Sequence, residues 1–450
     1  MQKLSIDFSK AIGRIKAMHA VGQPPFYGMY FEMFRYLKDA DIPYSRLHDV
    51  GGAYGRSVFV DIPNLFRDFD ADENDPASYD FAFTDVLLSE LMKVGVKPYF
   101  RLGVTIENYP HIRAYRIYPP RDGAKWARVC EHIIRHYNEG WADGFTYGIE
   151  YWEIWNEPDS KTERGSMMWL GTEQEYFDLY SVTAKHLKGC FGDAIKVGGF
   201  ASCGFYAVTD PEILEAEKNG TVADLPESKK NLIYFKEYFE RFLAFIKTDA
   251  APIDFFSWHS YDPVCNTLLH QAYVEKTLAN MGYGDIEIHL NEWNTHYTVS
   301  GMGTAAAAAS SAAMMCAMQD TKMTMMNFYD ARIGLSNYGG LFDPRWRRPF
   351  CTYDAFLAFG KLYVLGAEVK IDGLADGLYA TAATNGRENA ILLSNIGEGK
   401  EISLDLLGKY YAYAITDDTR MKAAKIDPAL FKMEKDTVVF LSTEAIEIPE

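Results

Sequence analysis

Short apolar runs alternate with amphipathic segments from about residue 20 to residue 365. This alternation is typical of repeated βα units arranged around a parallel sheet. Eight of the apolar runs have strand character, and eight parallel strands close a (β/α)8, or TIM, barrel. The pattern therefore predicts an α/β fold of this class. The predicted strands are residues 15–21, 44–50, 97–104, 151–156, 196–200, 255–261, 287–292 and 324–330.

Several segments between the predicted strands carry helix signals. Residues 81–94 and 231–247 repeat apolar or aromatic side chains at three- and four-residue intervals, as helices packed on a sheet do. Thr304 can cap the alanine-rich run 305–319, and residues 172–175 resemble a capping box. These helices fit the crossover positions of the predicted barrel.

The pattern changes near residue 366, where short alternating runs replace the βα units. Such runs predict β-hairpins. Residues 4–8 alternate in the same way and precede the first barrel strand. We therefore predict an N-terminal strand (1–15) that joins a small antiparallel C-terminal β-sandwich (366–450), and a barrel domain between them (16–365). The C-terminal runs are residues 377–383, 390–395, 401–406, 410–415 and 437–441.

Composition and charge limit the expected partners. Aromatic residues make up 15% of the 450 residues, which a large core explains, although aromatic rings also complement the flat faces of sugars. The formal net charge is −17. Because an acidic surface repels phosphate backbones and anionic lipids, we expect neither nucleic acid nor a membrane as a partner.

Six cysteines are scattered along the chain without a C-x-x-C pair. This distribution suits reduced thiols in a reducing compartment. The N-terminus has no signal-peptide pattern, and no apolar run reaches transmembrane length. The interpretation is a cytoplasmic protein, and a homo-oligomer is left open.

Two short stretches carry candidate chemistry. One reads Trp-Glu-Ile-Trp-Asn-Glu-Pro over residues 152–158, and the other reads His-Leu-Asn-Glu-Trp-Asn over residues 289–294. Each places a glutamate, Glu157 or Glu292, where a predicted strand ends and a turn begins. In a parallel barrel the loops after the C-terminal strand ends build the site, so both glutamates are expected at the barrel mouth.

The two-residue period of a strand predicts which side chains share a face. It places Trp155 beside Glu157 on the fourth strand and Leu290 beside Glu292 on the seventh. If these faces point to the barrel axis, the two carboxyl groups converge. Double displacement at a glycosidic bond needs such a pair, one acid for the leaving oxygen and one carboxylate for the anomeric carbon. The competing interpretation is that residues 156–158 form only a turn and that Glu292 is only a solvated charge at a strand end. The occurrence of such a glutamate at the ends of both the fourth and the seventh strand disfavours this interpretation.

The chain resembles the clan A glycoside hydrolases, (β/α)8 enzymes with the acid/base on strand four and the nucleophile on strand seven. Within the clan it is similar to family 39, which includes β-xylosidases and α-L-iduronidase. The resemblance spans roughly residues 4–350. Besides the two glutamate stretches, it rests on residues 6–9, 19–22, 46–49, 257–261 and 291–295.

The resemblance implies roles for the residues that match the family motifs. Glu157 is implied to be the general acid/base, which requires a raised pKa, and Glu292 the ionised nucleophile. Asn156 is similar to the residue that hydrogen-bonds the sugar 2-hydroxyl. His259 and Tyr261 are implied to lie beside the sugar and the nucleophile. Retention of configuration follows, with the carboxyl groups about 5–5.5 Å apart.

Three further substrate contacts are predicted, each with a structural alternative. His48 ends the second strand and is expected at the site by the same reasoning as His259. For either histidine, a buried ring that bonds a backbone carbonyl is the competing account. Trp293 and Tyr297 are predicted to stack on the sugar or line the pocket, with a core or wall position as the alternative.

The eighth strand departs from the family pattern. Xylosidases of the family follow this strand with an acidic pair that receives sugar hydroxyls. Here Tyr329, Asp330 and Arg332 occupy the corresponding positions, and all three are predicted substrate contacts. Asp330 can replace one carboxylate, whereas Arg332 introduces a positive donor. The sugar or the aglycone therefore need not be that of a xyloside.

The leading hypothesis is a retaining exo-glycosidase of short plant-derived glycosides, with β-xylosides first. Activity on arabinosides, galactosides or uronides remains open, as does endo-acting or transglycosylating chemistry. A sugar-binding protein without activity is an alternative from another class, although the presence of Glu157, Glu292 and Asn156 argues against it. The expected partner is a small oligosaccharide or glycoside.

No cofactor and no metal is predicted. His132 and His136 have the i, i+4 spacing that metal sites use, but the glutamate precedes the first histidine, contrary to the zinc-protease order. The glycine-rich run 51–55 matches neither a Walker nor a dinucleotide fingerprint. The serines show no nucleophile elbow.

Overall fold

The computed structural model describes residues 1–26, 30–50, 60–105, 117–161, 166–296, 298–333 and 338–450. In this part of the chain an N-terminal strand, β1 (Gln2–Arg14), precedes eight parallel strands that close into a barrel. Each predicted barrel strand overlaps an observed one, so the TIM-barrel prediction is confirmed. The barrel strands are β2 (Ala17–Gly22), β3 (Tyr44–Leu47), β4 (Lys97–Leu102), β5 (Tyr151–Ile154), β6 (Lys196–Ser202), β7 (Phe255–Ser260), β8 (Glu287–Trp293) and β9 (Met325–Phe328).

Helices surround the barrel, and both predicted caps are present. The Thr172 hydroxyl accepts a hydrogen bond from the Glu175 amide, and the Glu175 carboxylate accepts one from the Thr172 amide, which completes a capping box. Thr304 accepts from the Ala307 amide at 3.2 Å. The helices of the described residues are α1 (Phe34–Asp39), α2 (Ile62–Leu65), α3 (Ala82–Lys93), α4 (Gly123–Asn138), α5 (Glu173–Phe191), α6 (Pro211–Asn219), α7 (Glu227–Asp249), α8 (Val264–Met281), α9 (Ala305–Gln319) and α10 (Cys351–Leu365).

The C-terminal region forms one curled sheet together with β1. Its strand order is β15-β14-β17-β12-β11-β10-β1-β13-β16. Because β1 pairs antiparallel with β10 and parallel with β13, the sheet is mixed, and the purely antiparallel arrangement that we predicted is wrong in this detail. The strands are β10 (Ala367–Asp372), β11 (Leu378–Thr384), β12 (Asn389–Asn395), β13 (Lys400–Leu404), β14 (Tyr411–Ile415), β15 (Lys422–Ala423), β16 (Phe431–Met433) and β17 (Thr437–Ser442).

Alternate residues of this sheet enter two different cores. On β12, Ile391 and Leu393 pack inside the curled sheet with Leu4 of β1. Leu392, between them, joins the main core with Phe356 of α10. Because alternate side chains of a strand point to opposite faces, the sheet packs its own core on one face and packs against the barrel helices on the other. The domain boundaries at residues 15 and 365 stay a prediction.

The barrel interior is filled in layers that prepare the site. The layer nearest the N-terminal strand ends is aromatic, with ring centroids 4.7–5.7 Å apart. Two residues further along the strands the layer becomes polar, where Ser257 donates to Glu153 at 2.6 Å and Asn291 donates to the same carboxylate. The aromatic layer consists of Tyr99, Tyr151, Phe255 and His289.

Within the described ranges, no helix combines the length and the apolar character needed to cross a bilayer. All six cysteines are free thiols. The cytoplasmic location and the oligomeric state stay predictions.

Candidate active site

The end of β5 leaves the strict strand period, and this turns two neighbouring side chains inward. Trp155 and Glu157 both have positive φ, 72° and 44°. The Trp155 indole points outward, where it lies 5.0 Å from the Trp169 ring and donates to the Met168 carbonyl at 2.8 Å. The prediction that Trp155 shares a face with Glu157 is therefore wrong. The left-handed kink lets Asn156 and Glu157 both face the barrel mouth.

A β-bulge does the same on β8. Trp258 pairs with Leu290 but the next residue, His259, pairs with Glu292, so one extra residue is inserted on β8. Asn291 and Glu292 consequently both face the interior, whereas Leu290 lies in the outer core. The predicted shared face of Leu290 and Glu292 is wrong for this reason.

The bulge also decides the position of Trp293. Its ring is fully buried against the helices, 5.1 Å from Phe328 and 6.2 Å from Phe356 of α10. The prediction that Trp293 contacts substrate is contradicted, because its side chain packs outside the barrel. Tyr297 and the glycine-rich run 51–55 lie outside the described residues.

Glu157 and Glu292 meet across the barrel mouth beside His259. The Nδ1 atom of His259 is 2.8 Å from Oε1 of Glu157 and 3.5 Å from Oε2 of Glu292. One oxygen of each glutamate and a nitrogen of the imidazole all lie within 4.8 Å of one another. The two strand ends that the sequence singled out thus bring their carboxyl groups together at one point of the barrel mouth.

Hydrogen-bond donors surround Glu292. Arg46 Nη1 donates to Oε1 at 2.8 Å, and the Tyr261 hydroxyl donates to Oε2 at 2.9 Å. Burial raises the pKa of Glu292, while His259 and Arg46 oppose this rise. Donors that bond the charged form favour ionisation, so these two bonds stabilise Glu292 as a carboxylate.

Glu157 has a different environment. Burial raises the pKa of Glu157 to about 7, against the opposing charge of Arg46, and the nearby charge of Asp49 adds to the rise. Burial lowers the pKa of His259 to about 4, so the imidazole beside Glu157 is neutral at neutral pH. One carboxyl group therefore retains a proton near neutrality while the other is held by donors, which is how two acids divide two roles.

Arg46 connects the floor of the site to both motif strands. Its guanidinium donates to Glu153 at 2.8 Å through Nε and to Asn156 Oδ1 at 2.6 Å through Nη2. Burial opposes the charge of Arg46, but Glu153 and Glu292 outweigh it and raise the pKa, so the guanidinium stays protonated. Arg46 thus fixes the positions of three acceptors at once.

A buried carboxylate holds the loop that carries Glu157. The Glu157 amide donates to the Ala201 carbonyl at 3.0 Å. Asp159 accepts from the Ser202 hydroxyl at 2.7 Å and from the Cys203 amide at 3.2 Å. These contacts tie the turn after β5 to the end of β6.

Other predicted residues line one side of the mouth. His48 Nε2 is 3.8 Å from Glu292 Oε1 and 3.3 Å from Asp49 Oδ1. The Tyr329 hydroxyl donates to Asp49 Oδ2 at 2.8 Å, and the Tyr261 and Tyr329 ring centroids are 6.5 Å apart. The structure therefore brings these predicted residues together with the two glutamates.

Asp330 and Arg332 form an ion pair of 3.0 Å beyond β9. Asp330 is fully buried, whereas the Arg332 side chain keeps a quarter of its surface exposed. The negative charge of Asp330 and then the neighbouring Tyr329 raise the pKa of Arg332 against its burial. The guanidinium thus brings a positive charge to the wall that contains Tyr329.

Sequence reasoning did not assign several residues that build the site. Arg46 and Asp49 lie in the 46–49 stretch that supported the family resemblance, but neither was predicted as a site residue. A charge inside a buried apolar strand was the available signal, because buried charges require partners. The remaining members of this group are Glu153, Asn291, Asp159, Cys203, Gln23 and Tyr338.

The glutamates and His259 also form a possible donor set for a divalent cation, since each offers one ligand atom. The buried charge of Arg46 beside Glu292 opposes a cation there. The predicted absence of metal and cofactor stays a prediction.

The sequence matches the family described as Glycosyl hydrolases family 39 over residues 38–315. It is 22% identical over 275 residues to a β-xylosidase of Geobacillus stearothermophilus, covering 54% of this chain and 46% of that protein. It is 25% identical over 218 residues to a β-xylosidase of Caldicellulosiruptor saccharolyticus, covering 46% of this chain and 36% of that protein. The match thus spans less than half the length of these curated relatives.

Solved structures share the fold over nearly the whole chain. A glucosidase from Croceicoccus marinus superposes with a TM-score of 0.75 at 21% identity, covering 98% of both chains. A family 39 β-xylosidase from Caulobacter crescentus superposes with a TM-score of 0.70 at 17% identity, covering 99% of this chain and 100% of the other. At these identities the likeness establishes the shared architecture.

Proposed function

Because the chain belongs to family 39 of the glycosyl hydrolases, we propose that it is a retaining glycoside hydrolase that cleaves glycosides by double displacement. One observation carries the proposal, the meeting of Glu157 and Glu292 with oxygens within 4.8 Å at one barrel mouth. Retaining enzymes hold their carboxyl groups about 5–5.5 Å apart, whereas inverting enzymes separate them by about 6.5–9.5 Å. Oxygens this close favour the retaining arrangement, in which no water lies between the sugar and the second carboxyl group.

Glu292 is the nucleophile in this proposal. Its carboxylate attacks the anomeric carbon as the glycosidic bond breaks, and a covalent glycosyl-enzyme forms. Arg46 and Tyr261 hold the two oxygens in fixed positions. Such fixed donors need no reorganisation during the reaction.

Glu157 is the acid and then the base. With a pKa raised to about 7 it can hold the proton that the leaving oxygen receives in the first step. Glycosylation removes the negative charge of Glu292, so the ionised form of Glu157 becomes more favourable and can deprotonate the incoming water. The neutral His259 ring is hydrogen-bonded to Glu157 at 2.8 Å. This bond keeps the Glu157 carboxyl group in the same orientation during both steps.

Asn156, His48, Tyr329, Asp330 and Arg332 are proposed to contact the substrate. A short plant-derived β-xyloside is the leading substrate, since the matched relatives are β-xylosidases. The Asp330–Arg332 ion pair is the specific reason to keep arabinosides, galactosides and uronides as alternatives, because a guanidinium can bond a sugar hydroxyl or a carboxylate. A panel of nitrophenyl glycosides decides between these sugars, and oligosaccharides of increasing length decide between exo and endo action.

The mechanism is tested with Glu292→Ala. We expect this variant to lose turnover on the best nitrophenyl glycoside and to regain it with azide, giving a glycosyl azide of inverted configuration. Glu287→Gln, at the opposite end of the same strand, serves as the control and should keep its activity. Azide rescue without inversion, or no turnover of any glycoside by the unaltered protein, would contradict the proposal.

A further inference from the structure

Three metal-binding side chains meet on the outer helices of the barrel. Glu131 lies on α4, whereas His186 and Cys190 lie one turn apart on α5. His186 Nε2 is 2.6 Å from Glu131 Oε2, and Cys190 Sγ is 3.8 Å from His186 Nε2. One oxygen, one nitrogen and the sulfur all lie within 4.8 Å of one another. No step of the proposed reaction uses these residues.

We propose that Glu131, His186 and Cys190 form a Zn²⁺ site that links α4 to α5. Thiolate, imidazole and carboxylate are the ligand types that zinc binds, and three protein ligands leave a fourth position for water. A tetrahedral zinc ion with ordinary bond lengths separates its ligand atoms by about 3.3–3.7 Å. The sulfur and the nitrogen are close to this separation, and the Glu131–His186 pair needs to open by about 1 Å.

The spacing along α5 gives the site two ligands on one helix face. Residues four apart in a helix point to the same side, so His186 and Cys190 present neighbouring donors without any change of backbone. Glu131, from the adjacent helix, then closes the third corner. The arrangement depends on the packing of α4 against α5 and cannot exist in the unfolded chain, so bound zinc stabilises the fold.

Arg135 supports the carboxylate ligand. Its Nε donates to Glu131 Oε1 at 2.7 Å, which leaves Oε2 directed at His186. Metal-bound carboxylates are commonly held by such a donor outside the coordination sphere. Arg135 also pairs with Glu139, so its positive charge is balanced before a cation binds. Burial, with Glu131 next, raises the pKa of the Cys190 thiol, and a bound cation reverses this by taking the thiolate.

The test uses the full chain after treatment with a chelator, and the probes are Co²⁺ and Zn²⁺ alone. A thiolate–cobalt bond gives an intense near-ultraviolet charge-transfer absorption that oxygen and nitrogen ligands do not give. We expect this band on addition of Co²⁺, its loss when Zn²⁺ displaces cobalt, and a melting temperature that rises with Zn²⁺ concentration. Cys190→Ser should remove the band and lower the zinc affinity at least about tenfold.

Cys265→Ser is the matched control, because Cys265 is also an exposed free cysteine and its thiol donates to the Asn266 side chain. It should retain the band and the affinity. Glu131→Gln provides a second variant, since it keeps an oxygen for Arg135 but removes the charge, and it should weaken zinc binding. Circular dichroism verifies that each variant is folded.

Two results would overturn the proposal. The first is cobalt binding without a thiolate band, or a band that survives Cys190→Ser. The second is zinc that binds Cys190→Ser as tightly as the unaltered protein and inhibits glycoside hydrolysis in both. That pattern would place the metal at Glu157, His259 and Glu292 instead.

Discussion

Arg46 and Glu292 are joined by a 2.8 Å hydrogen bond between Nη1 and Oε1, although both side chains are almost fully buried. The same guanidinium bonds Glu153 and Asn156, which belong to β5 and its turn. A planar guanidinium reaches three acceptors in one fixed geometry, and a single ammonium group cannot. Arg46 therefore joins the two motif strands at the site, in addition to the direct hydrogen bond from Asn291 of β8 to Glu153 of β5.

Arg46→Lys should lower kcat about 10²-fold, with a smaller change in KM, because the fixed donor to Glu292 is lost while the positive charge remains. Steady-state kinetics on a nitrophenyl glycoside measures the effect. Arg420→Lys is the control, since Arg420 also bonds a buried carboxylate, Asp354, but does so at the C-terminal sheet. A kcat that falls equally in both variants would show that lost stability, and not lost positioning, is the cause.

The alkaline limb of kcat/KM is expected near pH 7, because burial raises the pKa of Glu157 to about 7. The charge of Asp49 contributes to this rise. Asp49→Asn removes a negative neighbour, so the proton leaves Glu157 more readily and the limb should move to lower pH. Profiles of kcat/KM against pH test the shift, with Asp249→Asn on the far end of α7 as the control. If the alkaline limb does not move, the charge of Asp49 does not affect the pKa of Glu157.

Glu157 should reduce the stability of the fold above neutral pH. Its pKa is raised from an ordinary value of 4.5 to about 7, so the folded state binds the proton more tightly than the unfolded state. The stabilising contribution is complete below about pH 4.5 and is lost as the pH rises through 7. A shift of this size corresponds to at most about 3 kcal/mol.

Glu157→Gln is therefore expected to be inactive on poor leaving groups and yet more stable than the unaltered protein at about pH 8, by roughly 1–3 kcal/mol. The difference should shrink towards pH 5, where the native carboxyl is protonated. Denaturant unfolding at both pH values measures it, with Glu401→Gln, an exposed residue of β13, as the control. Equal stability at pH 8 would mean that the carboxylate is not disfavoured by burial.

The residue types along the chain were sufficient to predict the barrel and the location of both glutamates. The period of apolar positions gave the strands, and a strand-end glutamate followed by proline or tryptophan gave the candidates. Both follow from local sequence. Thr304 and the capping box at Thr172 were predictable for the same reason, since a cap depends on residues within one turn.

The detailed geometry was not predictable, because it is set by contacts across strands. Trp155 adopts φ of 72°, which no property of tryptophan indicates. The inserted residue on β8 is visible only in the pairing of this strand with its neighbours β7 and β9. These two irregularities turn Asn156 and Asn291 inward and send Trp293 into the outer core. A strict period of two cannot describe either strand end, and both irregularities occur where the site is built.

Gly103 gives a direct test of how tightly the turn that carries Glu157 is held. A Cβ at residue 103 would lie 3.1 Å from the Trp155 Cα, and this neighbour is backbone that cannot rotate away. Gly103→Ala should push the end of β5 by a few tenths of an ångström and lower kcat/KM about 10- to 100-fold, because small displacements of a catalytic group are costly. Gly189→Ala on α5 is the control, since nothing lies within 4 Å of its new Cβ, and it should be neutral or stabilise by about 0.5–1 kcal/mol. The opposite result would be a Gly103→Ala variant that loses stability but keeps kcat/KM within about twofold, well short of the loss expected for a displaced catalytic group. In that case the hydrogen bonds from Glu157 to His259 and Ala201 hold Glu157 in place without help from the strand.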